Sequence, residues 1–326
     1  VAGFSSAPGD HFSVVSSGWV PIVYHVVFMT ITIIIVRYGV EKGIERASLI
    51  LMPLLFAIVA GLAIWAATLP GSEEGYSFYL APSLRALLNP TTFAEAAGQA
   101  FFSLSLGMGA MLTFASYLSR HENLNREAAT VAFSDFAVAF VAGLVVFPVI
   151  AALGLESQVS ASTVGALFIA LPGAFVEMGG IGRFVGVLFF FALTVGALTS
   201  AVSLLEVVTA SMIDEFKIHR KVAAVGAGAL ITVVGLLPAT DLNALGVIDK
   251  VTEWFLAVGA LLITLFVGWR MRDPAREMKD GASEFFQKLV PPVLFFVRFV
   301  MPPVIAYVVF YSGKAMIDTV RQTYGF

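Results

Sequence analysis

Two serines and two glycines interrupt a long apolar segment of the chain. Ser103, Ser105, Gly107 and Gly109 lie within residues 96–118, which otherwise read as a membrane helix. Glycine interrupts a helix cheaply, and backbone that leaves the helix at bilayer depth is tolerated only against protein or a wet cavity. The freed carbonyls and the two hydroxyls would be hard oxygen ligands. The pattern predicts either a discontinuous transporter helix with a central site or a small-residue helix-packing face.

A carboxylate lies inside the next apolar segment. Asp135 is flanked by Ser134 and Phe136. A charged side chain in a membrane helix costs several kcal/mol unless it is paired, ligated or protonated. We therefore expect a functional Asp135, the alternative being an aspartate at the membrane interface. Hydroxyl, carboxylate and carbonyl oxygens suit a hard cation, and sodium is the simplest candidate.

A third polar group lies in the fifth apolar segment. Gly196, Thr199, Ser200 and Ser203 recur on one helical face, and Glu206 follows one turn later. Serine and threonine in membrane helices commonly bond only to the carbonyl four residues back. The face is therefore either a binding site or an ordinary helix surface.

The composition is that of an integral membrane protein. Hydrophobic residues make up 59% of the chain and charged residues 13%, about half the share in soluble domains. Cysteine is absent, which excludes disulfides and thiolate metal sites, and we expect no nucleic-acid partner. We predict an all-α fold of eight transmembrane helices in a single transmembrane domain, residues 1–326. The spans fall at roughly 19–38, 48–69, 96–118, 129–153, 184–213, 221–238, 250–270 and 289–312.

The basic residues predict the orientation of these helices. Alternate connections carry 13 and 5 of the 19 lysines and arginines, and the remaining one, Arg298, lies inside a span. The positive-inside rule places the richer set in the cytoplasm of a cell inner membrane. The N-terminus then lies outside. Since residue 1 is valine and an odd number of earlier spans would resolve this orientation, we expect a C-terminal part of a larger protein. A processed N-terminus is the alternative.

Gly43 and Pro53 lie near the cytoplasmic start of the second span. Proline removes a backbone donor and clashes with the carbonyl four residues earlier, so the helix can kink there. The pair is either a hinge that admits water or an ordinary helix entry.

Together these segments resemble the neurotransmitter:sodium symporter family, in its bacterial amino-acid-transporting branch with the LeuT fold. Residues 98–109 and 115–117 carry the resemblance, with residues 42–46, Pro53 and residues 196–200. It implies that the spans correspond to family helices four to eleven and that helices one to three are absent. Residues 19–69 would be the last two helices of the first inverted repeat, residues 96–270 the second repeat, and residues 289–312 an additional helix.

The resemblance also implies roles for individual residues. It assigns half of each of two sodium sites to this chain, the first at Ser103 and Asp135, the second at the Gly196 carbonyl, Thr199 and Ser200. It assigns the substrate pocket to Phe102, Ser103, Ser105, Met108, Ser200 and Leu204. The inner gate would include Tyr117 and Asp214, and the hinges would be Gly43, Pro53, Gly107 and Gly109.

Some positions depart from the family pattern. The first sodium site has Asp135 where asparagine is common, and the neighbouring chloride position is Ala139. A fixed carboxylate can balance the sodium charge, so we expect no chloride requirement. The position of the outer-gate acid aligns with Thr252, which is not an acid, and Glu253 and Asp249 are close to it, so the outer-gate residue stays open among the three. Met108 is adaptable and favours a hydrophobic or aromatic substrate.

The leading interpretation is a sodium-coupled amino-acid symporter that works by alternating access, and not an enzyme. One alternative is an intramembrane enzyme with Asp135 and Glu206 as a carboxylate pair. Another is a fragment that does not transport by itself, because half of each ion site would lie elsewhere.

Overall fold

The computed structural model describes residues 8–39, 43–81, 83, 85, 89–116, 122–155 and 166–325. Within these ranges the regular structure is helical throughout, which confirms the predicted all-α class. The helices are α1 (Pro8–Val15), α2 (Val20–Tyr38), α3 (Gly43–Ala66), α4 (Ser72–Leu80), α5 (Pro90–Ser103), α6 (Ala110–Ser116), α7 (Leu124–Leu153), α8 (Leu171–Glu177), α9 (Gly179–Phe216), α10 (Arg220–Thr240), α11 (Leu242–Leu265), α12 (Pro274–Lys279), α13 (Glu284–Phe295) and α14 (Met301–Tyr324). Wider π-helical turns occupy Ala166–Ala170, Phe266–Arg270 and Phe296–Val300.

In the described residues, 7 helical segments are long and apolar enough to cross a membrane. They are Val20–Tyr38, Leu49–Ala66, Leu124–Leu153, Gly179–Phe216, Arg220–Thr240, Leu242–Arg270 and Glu284–Tyr324. The other predicted span, residues 96–118, includes the second part of α5 and all of α6, and each of these helices is shorter than a span. The count of eight stays a prediction, since it requires α5 and α6 to cross together.

The chain forms two compact units, which are described separately. Unit 1 comprises residues 1–82 and 137–240, and unit 2 comprises residues 83–136 and 241–326. Whether they act as one transmembrane domain with inverted repeats stays a prediction.

One core of unit 1 forms where α3, α7, α8 and α9 meet. Phe175 is fully buried, and its ring lies 5.7 Å from that of Phe189, centroid to centroid. Helix α4 packs against α7 through Gly75, where a Cβ would come closer than 3.0 Å to the carbonyl oxygen of Phe147. Only glycine permits that approach without a backbone shift.

A second core of unit 1 joins α2, α9 and α10 around Val36, Val202 and Leu205. Side chains of α2 pack against glycines of α10. A Cβ on Gly228 would overlap Ile33, and a Cβ on Gly235 would overlap His25. The His25 Nε2 atom lies 3.0 Å from the carbonyl oxygen of Thr232. Helices α2 and α10 therefore pack at short range.

Helix α3 is helical from Gly43 to Ala66, with Pro53 inside it and exposed. The predicted hinge is therefore a continuous helix that lacks one backbone donor. Its bending stays a prediction.

The core of unit 2 joins α5, α11 and α14. It contains Phe101, Leu256 and Val308, together with Ala257, Ala260 and Ile305. Leu106 and Met108, which follow α5, pack against the same cluster. The interrupted segment is therefore fixed to the core of unit 2 by its own apolar side chains.

Candidate ion-binding site

The helix at residues 90–116 stops and restarts. Asn89 caps the start of α5 by accepting a hydrogen bond from the Thr91 amide at 3.0 Å. At its end the Leu104 amide donates to Ala100 and the Leu106 amide donates to Phe101, at 3.0 and 2.8 Å. Residues 104–109 are not helical, and α6 begins at Ala110. The interruption lies where the sequence predicts it.

The interrupted segment takes left-handed backbone angles at three positions. The φ angles are +54° at Ser105, +84° at Gly107 and +80° at Gly109. Glycine adopts them freely, but a serine in this region costs about 1–3 kcal/mol. Strain of this kind persists only where the surrounding structure enforces it, and it is concentrated at functional sites.

The interruption exposes backbone acceptors. The carbonyl oxygens of residues 103–107 accept no backbone hydrogen bond from the described part of the chain. Helix ends leave such groups for water, side chains or ligands. Carbonyls without a backbone donor in the described residues thus follow Ser103 directly in the chain.

Close backbone packing holds the interrupted segment against α11. A Cβ on Gly107 would lie closer than 3.0 Å to the Leu256 carbonyl oxygen, and one on Gly259 would clash with Gly107 itself. Gly259 was not identified from the sequence. The available signal was a glycine in the middle of an apolar helix, a position where glycine usually marks close backbone approach.

Ser103 and Asp135 are in contact. Ser103 is the last residue of α5, and its hydroxyl donates a hydrogen bond to Asp135 Oδ1 in the first half of α7. Asp135 is half-buried and Ser103 is exposed. Because the hydroxyl proton points at the carboxylate, the hydroxyl lone pairs remain available to a cation. The Ser103 hydroxyl and the Asp135 carboxylate are therefore adjacent hard oxygen donors within unit 2.

The second predicted ion set lies on α9 in unit 1. The Thr199 hydroxyl donates to the Gly196 carbonyl at 2.7 Å, so two of the three proposed ligand oxygens are adjacent. Ser200 is exposed beside them. A Cβ on Gly196 would lie 3.1 Å from Met52 Cε, so α3 covers this point of α9 one residue before Pro53.

The residues predicted for the substrate differ in exposure. Phe102 is 47% exposed and Leu204 is 45% exposed, both high for large apolar side chains. Ser105 and Met108 are half-buried. Phe102, Ser103, Ser105 and Met108 belong to unit 2, whereas Ser200 and Leu204 belong to unit 1.

The spacing of Glu206 places it on the same face of α9 as Thr199 and Ser200, but its surroundings in the structure are different. It is only 7% exposed, and its Oε2 atom forms an ion pair with Nη2 of Arg220 in α10 at 2.5 Å. Arg220 also donates to the Val36 carbonyl at 3.2 Å. Glu206 therefore belongs to the packed α2–α9–α10 contact, and not to the exposed side of α9 that carries Ser200.

The predicted gate residues are only partly described. Tyr117 lies outside the described residues, and Asp214 is exposed near the end of α9. Among the outer-gate candidates, Glu253 pairs with Lys250 at 2.9 Å and the Thr252 hydroxyl donates to the Ile248 carbonyl at 2.8 Å. Asp249 is exposed, and the gate acid stays undecided.

The chemistry of the site favours an alkali cation. The described residues contain no group of three or more histidine, cysteine, aspartate or glutamate side chains that could hold a metal ion. A single carboxylate with hydroxyl and carbonyl oxygens is a low-charge, hard-oxygen set, which suits a monovalent ion better than a transition metal.

Comparison with known proteins agrees with this chemistry. A model of the "Sodium:neurotransmitter symporter family" matches residues 13–326. An uncharacterized sodium-dependent transporter of Haemophilus influenzae is 32% identical over 310 residues, covering 89% of this chain and 66% of the relative. Another, from Bacillus subtilis, is 33% identical over 272 residues, covering 79% of this chain and 59% of the relative. The chain thus spans less than two thirds of the length of either transporter.

A solved structure has the same fold. The crystal structure of MhsT in complex with L-phenylalanine superposes with a TM-score of 0.85 at 36% identity, covering 95% of this chain and 73% of that chain. The family resemblance drawn from the sequence is confirmed by these matches.

Replacing Gly107 with alanine should loosen the interrupted segment. The new Cβ would overlap the Leu256 carbonyl and force a residue with φ of +84° to carry a side chain. We expect Gly107→Ala to lower the free energy of unfolding by roughly 1–3 kcal/mol, measured by thermal unfolding of the purified full-length protein.

The matched control is Gly98→Ala in α5, where a Cβ meets nothing within 4 Å. Alanine is the better helix former, so this variant should be at least as stable as the parent. Equal stability of the two variants would show that the contact with α11 does not hold the segment.

Proposed function

Because the chain belongs to the sodium:neurotransmitter symporter family, we propose that it supplies ion and substrate ligands to a sodium-coupled amino-acid symporter working by alternating access. It is a multi-pass membrane protein of a family whose relatives are sodium-dependent transporters. The observation that carries the proposal is the contact between Ser103 and Asp135 at the end of an interrupted helix. The activity is proposed for the whole protein, of which the chain holds part of the ligands.

The first sodium ion is proposed to bind Ser103 and Asp135. The Asp135 carboxylate supplies the negative charge, the Ser103 hydroxyl supplies a neutral oxygen, and the free carbonyls complete this side of the shell. Asp135 alone neutralises a monovalent ion, and Ala139 one turn later offers no anion ligand. We therefore propose that transport does not require chloride.

The second sodium ion is proposed to bind Gly196, Thr199 and Ser200. Its support is the adjacency of the Thr199 hydroxyl and the Gly196 carbonyl. Met52 covers Gly196 from α3. Bending of α3 between Gly43 and Pro53 would move Met52 away and let water reach the ion, which couples ion release to inward opening.

The substrate is proposed to be a hydrophobic or aromatic amino acid. Phe102 offers an exposed ring next to the interruption, and Met108 offers a polarisable side chain that adapts to large apolar groups. Ser103 and Ser105 supply hydroxyls for the polar end of the substrate. Supporting this choice, the similar MhsT structure is a complex with L-phenylalanine. Ser200 and Leu204 keep their predicted substrate role without further support.

The remaining assignments are proposals of the same kind. Tyr117 and Asp214 are proposed for the inner gate, an inner membrane is proposed as the location, and the N-terminus of this chain is proposed to lie outside. Family helices one to three are proposed to lie in the same protein upstream of this chain. The enzymatic alternative loses support because Glu206 is paired with Arg220 and is not free to share a water with Asp135.

Asp135→Ala should remove the charge that balances the first sodium ion. We expect sodium-dependent substrate binding by the full-length protein to fall by about tenfold or more, equivalent to ~1.4 kcal/mol. The measurement is equilibrium binding of a radiolabelled aromatic amino acid over a range of sodium concentrations. Ser134→Ala, an exposed neighbour on α7, is the control and should leave the sodium dependence unchanged. Unaltered sodium affinity in Asp135→Ala would refute the site.

The double variant Thr199→Ala, Ser200→Ala should raise the sodium concentration for half-maximal binding, because it removes both hydroxyl ligands of the second site. The same binding assay measures it. Thr194→Ala is the control, since the Thr194 hydroxyl only bonds to the Phe190 carbonyl on α9. If the double variant and the control behave alike, the second site is misplaced.

A further inference from the structure

A groove in unit 2 lies between α12 and the start of the last membrane helix, and none of the residues that line it is a proposed ion ligand. Its volume is about 290 Å³. Apolar side chains of α13 and the π-helical turn after it line one wall, among them Val290, Leu294, Phe295 and Phe299. Lys279 and Arg298 also line it, and the set contains no carboxylate. The groove is therefore apolar along its length and cationic at the lysine and arginine.

Arg298 lies well inside its predicted span, 289–312, whereas the other basic residues within predicted spans lie at or next to a span end. Gly268 permits a close approach, because a Cβ there would lie 3.2 Å from Arg298 Cγ. The Trp269 indole donates to the Arg298 carbonyl at 3.3 Å. Arg298 thus lies against the π-helical turn Phe266–Arg270, at the end of the apolar segment Leu242–Arg270. A long basic side chain near a helix end can reach the headgroup region of a membrane.

Arg298 has no acidic partner in the part of the chain that the structure describes. The ion pairs found there are Arg220–Glu206 and Lys250–Glu253. A guanidinium at a membrane interface is stabilised by an anion, and phosphate matches its planar donors in a bidentate manner. The guanidinium donors of Arg298 in the groove wall therefore have no acidic acceptor among the described residues.

Exposed aromatic rings surround this arginine. Trp269 is 65% exposed, and its ring lies 5.6 Å from that of Phe299, which lies 5.2 Å from that of Phe295. Tryptophan favours the membrane–water interface, with its ring among headgroups and upper acyl carbons. Together with Leu294, these rings form a surface suited to an acyl chain beside a bound headgroup.

The charge around the groove favours an anionic lipid over a zwitterionic one. Residues 270–298 contain six basic and four acidic residues, a net charge of +2. The basic-residue distribution predicts that this connection faces the cytoplasm, where the leaflet carries negative lipids. Basic pockets between membrane helices on that side bind phospholipid headgroups.

We propose that this groove binds an anionic glycerophospholipid, with its phosphate on Arg298 and Lys279 and an acyl chain along Leu294, Phe295 and Phe299. None of the residues that line the groove is a proposed ion or substrate ligand. The test of lipid binding therefore does not depend on transport activity.

The test uses Trp269 as a local reporter. The full-length protein is reconstituted in phosphatidylcholine vesicles that contain increasing fractions of brominated phosphatidylglycerol or, in parallel, brominated phosphatidylcholine. Bromine quenches tryptophan on contact, and subtracting the signal of Trp269→Phe isolates Trp269. We expect half-maximal quenching of Trp269 at about fivefold lower mole fraction for brominated phosphatidylglycerol than for brominated phosphatidylcholine. This is the effect of about one additional contact between a basic side chain and an anionic headgroup.

Variants of the basic residues test which side chains produce the preference for the anionic lipid. Arg298→Gln with Lys279→Gln should bring the two brominated lipids to equal quenching, whereas Lys288→Gln, a basic residue of α13 that is not among the groove lining, should retain the preference. Loss of the preference in Lys288→Gln to the same degree would mean diffuse charge attraction and would overturn the proposal. So would equal quenching by both lipids in the parent protein, or no quenching by either, which would indicate that protein covers the groove. If the double variant does not fold, the parent comparison decides by itself.

Discussion

The proposed ion site depends on an interruption of backbone hydrogen bonding that the protein can tolerate only because glycine permits it. A membrane helix satisfies its own carbonyls, whereas the carbonyls of residues 103–107 accept no backbone hydrogen bond from any residue that the structure describes, and they follow the contact of α5 with Asp135. The segment is held in this state by the contact of Gly107 with the backbone of α11 and by Leu106 and Met108 in the core of unit 2. Free oxygen ligands and a rigid support therefore come from the same nine residues, 101–109.

Charge is handled differently at the two membrane carboxylates. Glu206 lies about 15 Å before the end of α9, and its charge is compensated by Arg220. A carboxylate that is paired with a cationic side chain stabilises packing, and its neutralised charge attracts a bound cation only weakly. Among the described residues Asp135 instead receives a hydroxyl proton from Ser103 and has no cationic partner, so its net charge is available to a cation. This contrast is the physical reason for assigning ion binding to Asp135 and not to Glu206.

The sequence was most informative where residue type dictates backbone behaviour. Glycines at 107 and 109 among apolar residues predicted either an interruption or a packing face, and the segment shows both; the family resemblance placed Ser103 and Asp135 in one site. Three features were not predictable in this way. The contact of Gly259 with Gly107 depends on a helix distant in sequence, and the left-handed backbone of Ser105 depends on packing of the whole segment. The pairing of Glu206 with Arg220 depends on α10 folding back along α9, which helical spacing within α9 cannot reveal.

The most direct measurement of the central claim is the structure of the full-length protein crystallised with thallium(I), a monovalent ion whose anomalous scattering marks sodium positions. The account predicts a peak in contact with Ser103 and the Asp135 carboxylate, lost when sodium is added in excess. An ion bound elsewhere, with Ser103 and Asp135 still joined and touching no cation, would contradict it.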